Sequence, residues 1–119
     1  MKKTALVVED DPNWQDDFRL ALSRKGFEIL QASDLKEAKE LFLANSEEIG
    51  LVVMDGCLGS NSPNSMDLIK NIRQTFNGPM IASSGSKLYL KELTGAGCNF
   101  MFHKGGIGYF DELLEAILK

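Results

Sequence analysis

The sequence predicts an α/β fold in which helices cover both faces of a doubly wound, five-stranded parallel sheet. Short apolar runs alternate with longer segments of helical periodicity along the whole chain, and this alternation is typical of repeated βα units. Two of the runs, TALVV (4–8) and LVVM (51–54), are almost wholly apolar, as expected for central strands covered on both faces. A chain of 119 residues can form one ordinary core but not two, so we predict a single domain over residues 1–119.

The predicted elements follow one another in order. The strands are TALVV (4–8), FEILQA (27–32), LVVM (51–54), MIAS (80–83) and FMFH (100–103). Four of the helices show an apolar face at helical spacing, formed by Trp14, Phe18, Ala21 and Leu22, by Leu35, Ala38, Leu41 and Phe42, by Leu68, Ile69, Ile72 and Phe76, and by Phe110, Leu113, Leu114, Ile117 and Leu118. The fourth helix, around 88–93, is predicted to be short. Asp11 before Pro12, and Asp34 with Glu37, predict the starts of the first two helices.

Charge and composition exclude several classes of function. The 13 basic and 17 acidic residues give a net charge of -4, and no run of Lys or Arg is present to follow a phosphate backbone, so direct nucleic-acid binding is not expected. The apolar run after MKK is too short for a signal peptide, and no segment suits a bilayer span. Cys57 and Cys98 lack metal-ligand spacing. We therefore expect a reduced, cytoplasmic protein that does not bind membranes.

Charged and hydroxyl side chains follow the predicted strands at one edge of the sheet. Glu9 and Asp10 follow the first strand, Asp55 the third, Ser84 the fourth and Lys104 the fifth. The carboxyl ends of parallel strands meet at the edge where open α/β sheets bind ligands. Carboxylates gathered there repel one another unless a cation joins them, and Mg²⁺ favours a few carboxylates together with phosphate oxygens. With a lysine ammonium and a serine hydroxyl nearby, the pattern predicts a phosphoryl site.

In these segments the chain resembles the receiver domains of two-component response regulators. The matching segments are LVVEDDP, LVVMD, PMIASSG and GAGCNFMFHK; each lies at a strand end, and the resemblance extends over essentially the whole chain. It implies a flavodoxin-like (CheY-like), three-layer α/β/α fold with strand order 2-1-3-4-5, an order that comes from the family and not from the periodicity.

The resemblance implies a role for each residue at the strand ends. Asp55 would accept a phosphoryl group from the phosphohistidine of a histidine kinase or a histidine phosphotransfer protein. Ser84 would turn toward that group, and Lys104 would lie beside it. A receiver of this kind is not an enzyme acting on other substrates, since it catalyses only its own phosphorylation and dephosphorylation.

The resemblance also implies a magnesium site. Asp10 would be a direct ligand of Mg²⁺, together with Asp55, and Glu9 would act largely through water. The backbone carbonyl of Cys57 would be another ligand. Asp11 is left out of the site, because an acid before Pro12 is ordinary helix-start chemistry.

The output implied by the resemblance is a change in a protein-binding surface. In the family this surface comprises the fourth helix, the fifth strand and the fifth helix, which here correspond to residues 86–95, 100–103 and 109–119. A downstream protein target would bind there. Phosphorylation would change the charge at Asp55 and bias an element with two conformations.

The chain departs from the family pattern at four places. Gly105 and Gly106 follow Lys104 where proline is usual, which removes a rigid constraint from that loop. Met101 stands where an aromatic residue often switches, and Gly59 stands where proline is common. The loop into the third helix is also about two residues longer than usual.

Two other functions remain open. A degenerate receiver would bind partners without being phosphorylated, and the missing proline and aromatic residue favour it, whereas the intact acids argue against it. A magnesium-dependent phosphatase of the haloacid-dehalogenase type also has an aspartate nucleophile after a strand. That fold requires a second acid two residues further on, where this chain has Cys57.

Overall fold

Parallel strands form one sheet in the order β2-β1-β3-β4-β5. The computed structural model describes residues 1–105 and 109–119; Gly106, discussed above with Gly105, lies outside them. The elements are β1 (Thr4–Val8), α1 (Pro12–Arg24), β2 (Glu28–Ala32), α2 (Leu35–Asn45), β3 (Ile49–Asp55), α3 (Met66–Arg73), β4 (Met80–Ser84), α4 (Lys87–Ala96), β5 (Phe100–His103) and α5 (Phe110–Ile117). The predicted fold class and strand order are therefore confirmed.

The sheet separates two hydrophobic cores. Alternate residues of β1 enter opposite cores, because successive side chains of a strand point to opposite faces: Leu6 packs with α2, α3 and α4, whereas Val7 packs with α1 and α5. Every residue of β3 is buried, as expected for a central strand with helices on both faces. No helix in the described part of the chain is long and apolar enough to cross a membrane.

Two helices begin at the predicted caps. Asp11 Oδ1 accepts a hydrogen bond from the Asn13 N–H at 2.8 Å, which fixes the start of α1. Asp34 Oδ1 accepts from the Glu37 N–H at 2.7 Å, and Glu37 Oε1 accepts in return from the Ser33 N–H at 2.8 Å. The second pair is a capping box that extends one residue upstream of the N-cap.

The structure corrects the ends of three strands. β3 runs from Ile49 to Asp55 and not over 51–54, because its ladder continues until Asp55 lies opposite Ser83 of β4. β4 likewise includes Ser84, which lies opposite His103. Asp55 and Ser84 are thus the last residues of their strands and not the first loop residues. β2 begins at Glu28, one residue later than predicted.

Two helix predictions are also corrected. α4 is not short: it has 10 residues, begins at the cap of Ser86, whose Oγ accepts from the Tyr89 N–H at 3.3 Å, and buries Leu90 and Leu93. α3 ends at Arg73, so Phe76 lies beyond it. Phe76 is nevertheless buried and meets a ring of α2 edge-on, which is why its spacing looked helical.

Candidate functional site

Acidic side chains from two strand ends meet at the carboxyl edge of the sheet. Glu9 and Asp10 directly follow β1, and Asp55 ends the neighbouring β3. Each offers a carboxylate oxygen, and these oxygens all lie within 4.8 Å of one another. Glu9 has no exposed surface and Asp55 is 6% exposed, whereas Asp10 is open to solvent. The predicted acidic cluster is therefore present, with two buried members and one exposed member.

Lys104 brings a positive charge to the buried acids. Its Nζ lies 2.5 Å from Glu9 Oε1 and 3.4 Å from Asp55 Oδ1. Its backbone N–H donates to the Ser84 carbonyl at 2.9 Å, which extends the β4 and β5 pairing by one step beyond the strand. The start of the β5–α5 loop is thus fixed by a ladder hydrogen bond, and the ammonium is fixed by contacts with the acids.

Burial dominates the electrostatics of the two inner acids. It raises the pKa of Glu9 to about 7, because the hydrogen bond from Lys104 offsets only part of the lost solvation and the charge of Asp55 adds to it. Burial also raises the pKa of Asp55 above its usual value, although the Lys104 ammonium opposes this shift. Near neutral pH, ionisation of both carboxyls is therefore energetically unfavourable, and a further cation would make it less so.

Asp10 is held from the loop that follows β3. Burial works against its charge, but several hydrogen bonds together outweigh it and lower the pKa of Asp10; the strongest of them is from the Gly59 N–H to Asp10 Oδ2, at 2.9 Å. Gly59 has φ +66°, a conformation that other residues rarely adopt. Proline, common here in the resembling family, has no N–H to donate. The departure at Gly59 thus supplies a contact to a site residue.

Ser84 and Cys57, the two other predicted site residues, follow or end the strands next to the acids. Ser84 is buried at the end of β4, where its Oγ accepts a hydrogen bond from the Ser86 N–H at 3.1 Å. Cys57 is half-buried two residues past Asp55, and burial together with the Asp55 charge raises the pKa of its thiol. The phosphoryl role of Ser84 and the metal role of the Cys57 carbonyl stay predictions.

Gln15 is a positioning residue that the sequence reasoning missed. Its Nε2 donates to the carbonyls of Val7, Glu9 and Ala32 at 3.0–3.1 Å. The amide of α1 thus ties the end of β1 to the end of β2 and fixes the backbone from which Glu9 projects. A polar residue three positions before Phe18, on the buried face of α1, was the signal that could have revealed it.

One asparagine holds the long loop after β3 closed by hydrogen bonds, and the sequence did not predict this role. Asn64 Oδ1 accepts from the Leu58 N–H at 2.9 Å and its Nδ2 donates to the Leu58 carbonyl at 2.8 Å. Its backbone N–H donates to Gly56 at 2.9 Å. Tyr89 Oη donates to the Asn61 carbonyl at 3.3 Å, so the loop also contacts α4. The extra length closes back on itself, and Asp10 stays exposed beside it.

The acidic cluster fits a hard divalent cation. Carboxylate oxygens are the ligands that Mg²⁺ and Ca²⁺ prefer, and three of them converge here within 4.8 Å. Burial raises the pKa of Glu9 even with the Lys104 ammonium in contact, so a further cation would stabilise its ionised form. The exposed Asp10 leaves one side open to water and ligand oxygens, which suits Mg²⁺, since it keeps several waters.

The pKa of Glu9 predicts how metal-free stability depends on pH. A carboxyl whose pKa is higher in the folded state than in the unfolded state stabilises the fold at low pH, and this contribution is lost as pH rises through the folded value. For Glu9 the loss falls between about 4.5 and 7. Relative to Glu9→Gln, we expect the wild type in EDTA to lose on the order of 2 kcal/mol of unfolding free energy between those limits.

Urea unfolding at several pH values measures this difference. Glu47→Gln is the control, because Glu47 is an exposed acid that is not part of the site, and this variant should lose stability over the same pH interval as the wild type. Parallel pH profiles for the wild type and Glu9→Gln would contradict the burial of an ionisable Glu9.

Comparison with known proteins supports the fold. No protein-family model matches the sequence, and no curated protein does. The structure is similar to a two-component response regulator from Clostridium difficile, with TM-score 0.79 and 20% identity over 98% of this chain and 93% of that one. It is also similar to the signal receiver domain of a response regulator from Bermanella marisrubri, with TM-score 0.78, 19% identity and 100% of both chains covered.

A third similar structure contains ligands. It is a response regulator from Burkholderia pseudomallei with a phosphorylated aspartic acid, a calcium ion and citrate; the TM-score is 0.75 and the identity 23%, over 98% of this chain and 66% of that one. At such identities the likeness shows the fold. The chain therefore has the fold of response regulator receiver domains.

Proposed function

We propose that the chain is a phosphoacceptor receiver domain in which Asp55 takes a phosphoryl group from a phosphohistidine. The single observation that carries the proposal is the contact set at the carboxyl edge: Asp55 lies against Lys104 at 3.4 Å and within 4.8 Å of the oxygens of Glu9 and Asp10. The receiver fold and the phosphorylated aspartic acid in the Burkholderia protein are in keeping with it. The donor would be a histidine kinase or a histidine phosphotransfer protein.

Phosphoryl transfer to Asp55 requires mainly that the reacting groups be positioned and that their negative charge be neutralised. A carboxylate oxygen of Asp55 forms a bond to phosphorus while the bond from phosphorus to the donor nitrogen breaks, and the leaving imidazole takes up a proton from solvent. The Lys104 ammonium meets a phosphoryl oxygen as charge shifts onto the acyl phosphate. Glu9 and Asp10 would hold Mg²⁺, which when bound neutralises negative charge on the phosphoryl oxygens.

The test is chemical labelling with a small phosphodonor. Incubation with phosphoramidate and Mg²⁺, followed by intact mass measurement, should show the gain of one phosphoryl group. Hydroxylamine should remove it, because an acyl phosphate is labile to that nucleophile, whereas a phosphoserine is not. A chain that gains no phosphoryl group, or gains a hydroxylamine-stable one, is not a receiver that uses Asp55.

The proposal also covers what the chain does not do. It acts as a signalling domain and catalyses only its own phosphorylation and dephosphorylation. Against a phosphatase of the haloacid-dehalogenase type, the position two residues after Asp55 is Cys57, whose pKa is raised above its usual value, so it carries a neutral thiol and not a second acid. Against a degenerate receiver, the acids and Lys104 are assembled in contact.

The output surface is proposed to be residues 86–95, 100–103 and 109–119, where a downstream protein binds. Ser84 and Lys104 lead directly into this surface, and it exposes large apolar side chains: Leu88 is 63%, Met101 55% and Tyr109 52% exposed. Exposed apolar groups of this size often mark protein contacts. Because Met101 is an exposed flexible thioether, we propose graded repacking in place of an aromatic rotation.

We expect beryllofluoride, a phosphoryl mimic, to shift amide resonances on the output surface in the presence of Mg²⁺. The physical reason is that Ser84 and Lys104 would close on the mimic and move the adjoining ends of α4 and β5. Two-dimensional amide spectra of wild type and Ser84→Ala measure it, and Ser84→Ala should reduce the shifts in α4. Shifts confined to the loops after β1 and β3 would rule out signalling through this surface.

A further inference from the structure

The ammonium of Lys104 has a third neighbour besides the two acids. Its Nζ lies over the ring of Trp14, 5.5 Å from the ring centroid, within the distance at which a lysine is attracted by the face of an indole. Lys104 is largely buried, with 15% of its side chain exposed, so little solvent screens this attraction. Trp14 is half-buried in the first turn of α1.

The ring is itself held in place by aromatic neighbours. It stacks on Phe18 with centroids 5.6 Å apart and meets Phe102 edge-on at 5.7 Å. Phe18 lies one helical turn along α1, and Phe102 lies on β5, two residues before Lys104. The indole is thus packed between the helix and the strand that carries the lysine, and its position is rigid compared with the lysine's four-carbon chain.

The residue directly after Lys104 places little restraint on the backbone. The residue that follows is Gly105, which tolerates a wide range of backbone conformations. The two carboxylates that pull on Lys104 are the same groups that fit a divalent cation, so their attraction weakens when they are neutralised. The ring face is neutral, and its attraction for the ammonium does not depend on the charge of those acids.

We propose that Trp14 is a positioning residue for Lys104: its ring face holds the ammonium at the phosphoryl site while the acids are occupied by other positive charge. This inference rests on the proposed function, since it assigns Trp14 a part in phosphoryl transfer to Asp55. Trp14 does not touch the reacting atoms; it acts through Lys104. The ranking of side chains at position 14 should therefore follow the strength of their attraction for a cation.

Rates of labelling by phosphoramidate and Mg²⁺ test the proposal in a double-mutant cycle. Trp14→Leu should slow labelling about tenfold, and Trp14→Phe should slow it less, about threefold, because a phenyl face attracts a cation more weakly than indole. In the Lys104→Met background, where the ammonium is gone, Trp14→Leu should change the rate by less than about twofold. Phe42→Leu is the control: it removes a buried ring from the opposite core, away from Trp14 and Lys104, and it should leave the rate nearly unchanged.

Trp14 fluorescence gives a readout that does not depend on phosphorylation. Trp14 is the one tryptophan in the sequence, so Lys104→Met, which removes the charge above the ring, should change its emission. The proposal is overturned if Trp14→Leu slows labelling equally with and without the Lys104 ammonium, or if leucine and phenylalanine at position 14 behave alike. If the wild type is not labelled at all, the proposed function fails. The emission of Lys104→Met then tests the contact between Trp14 and Lys104 by itself: unchanged emission rules the contact out, and altered emission supports it.

Discussion

Asp55→Asn should reduce phosphoryl uptake from phosphoramidate and Mg²⁺ below detection while making the metal-free protein more stable. Uptake is lost because the amide has no carboxylate oxygen to attack phosphorus. Stability rises because burial raises the pKa of Asp55, so at pH 8 the folded chain ionises this group at a cost that the neutral amide does not carry. Intact mass and thermal unfolding in EDTA measure the two effects.

The control is Asp67→Asn. Asp67 is an exposed acid in the first turn of α3, with the same charge and no part in the site. It should be labelled like the wild type, and it should not gain stability. Equal labelling of Asp55→Asn would mean that another residue is the acceptor, whereas loss of labelling together with loss of stability would mean that the substitution disturbs the fold.

Asp10→Asn should weaken Mg²⁺ binding by more than about tenfold, and Glu9→Gln should weaken it less. Asp10 is the exposed member of the cluster, and its lowered pKa keeps it ionised near neutral pH, so it is ready to be a direct ligand. Glu9 already contacts the Lys104 ammonium through Oε1, so its negative charge is partly neutralised without a metal. Titrations followed by Trp14 fluorescence give the dissociation constants.

Asp11→Asn is the matched control for the metal prediction. Asp11 is adjacent to Asp10, but its Oδ1 caps α1 by accepting from Asn13, and asparagine is an equally good N-cap. Its Mg²⁺ affinity should therefore equal that of the wild type. If Asp10→Asn and Glu9→Gln both bind Mg²⁺ as tightly as the wild type, the acidic cluster is not the magnesium site.

Most of the fold followed from patterns that the sequence displays directly. Alternating apolar runs and helical faces predicted the sheet, because burial on two faces leaves a nearly continuous apolar strand such as β3. Strand ends were less predictable. The polarity of Asp55 and Ser84 favours positions after the strands, yet ladder pairing with Ser83 and His103 keeps both in their strands. Backbone pairing does not depend on side-chain polarity, and both side chains are buried.

The predicted acids and Lys104 came together because adjacent parallel strands end at one edge. The residues that hold them could not be predicted in the same way. Gly59 reaches Asp10 across 49 positions of sequence through a backbone N–H, which any residue except proline has. Gln15 acts through carbonyls of two strands. Contacts of this kind depend on the path of the backbone; the one sign of them in the sequence was a polar residue, Gln15, on the buried face of α1.

The hydrogen bond from the Ser86 N–H to Ser84 Oγ, 3.1 Å long, affects how often Ser84 turns toward the site before phosphorylation. If Ser84 turned toward a phosphoryl group, that N–H at the start of α4 would lose its partner, and one such bond is worth about 1 kcal/mol. A difference of this size lowers the population of the turned state roughly fivefold before any phosphate arrives. The resting chain would therefore be biased toward the unturned, inactive state.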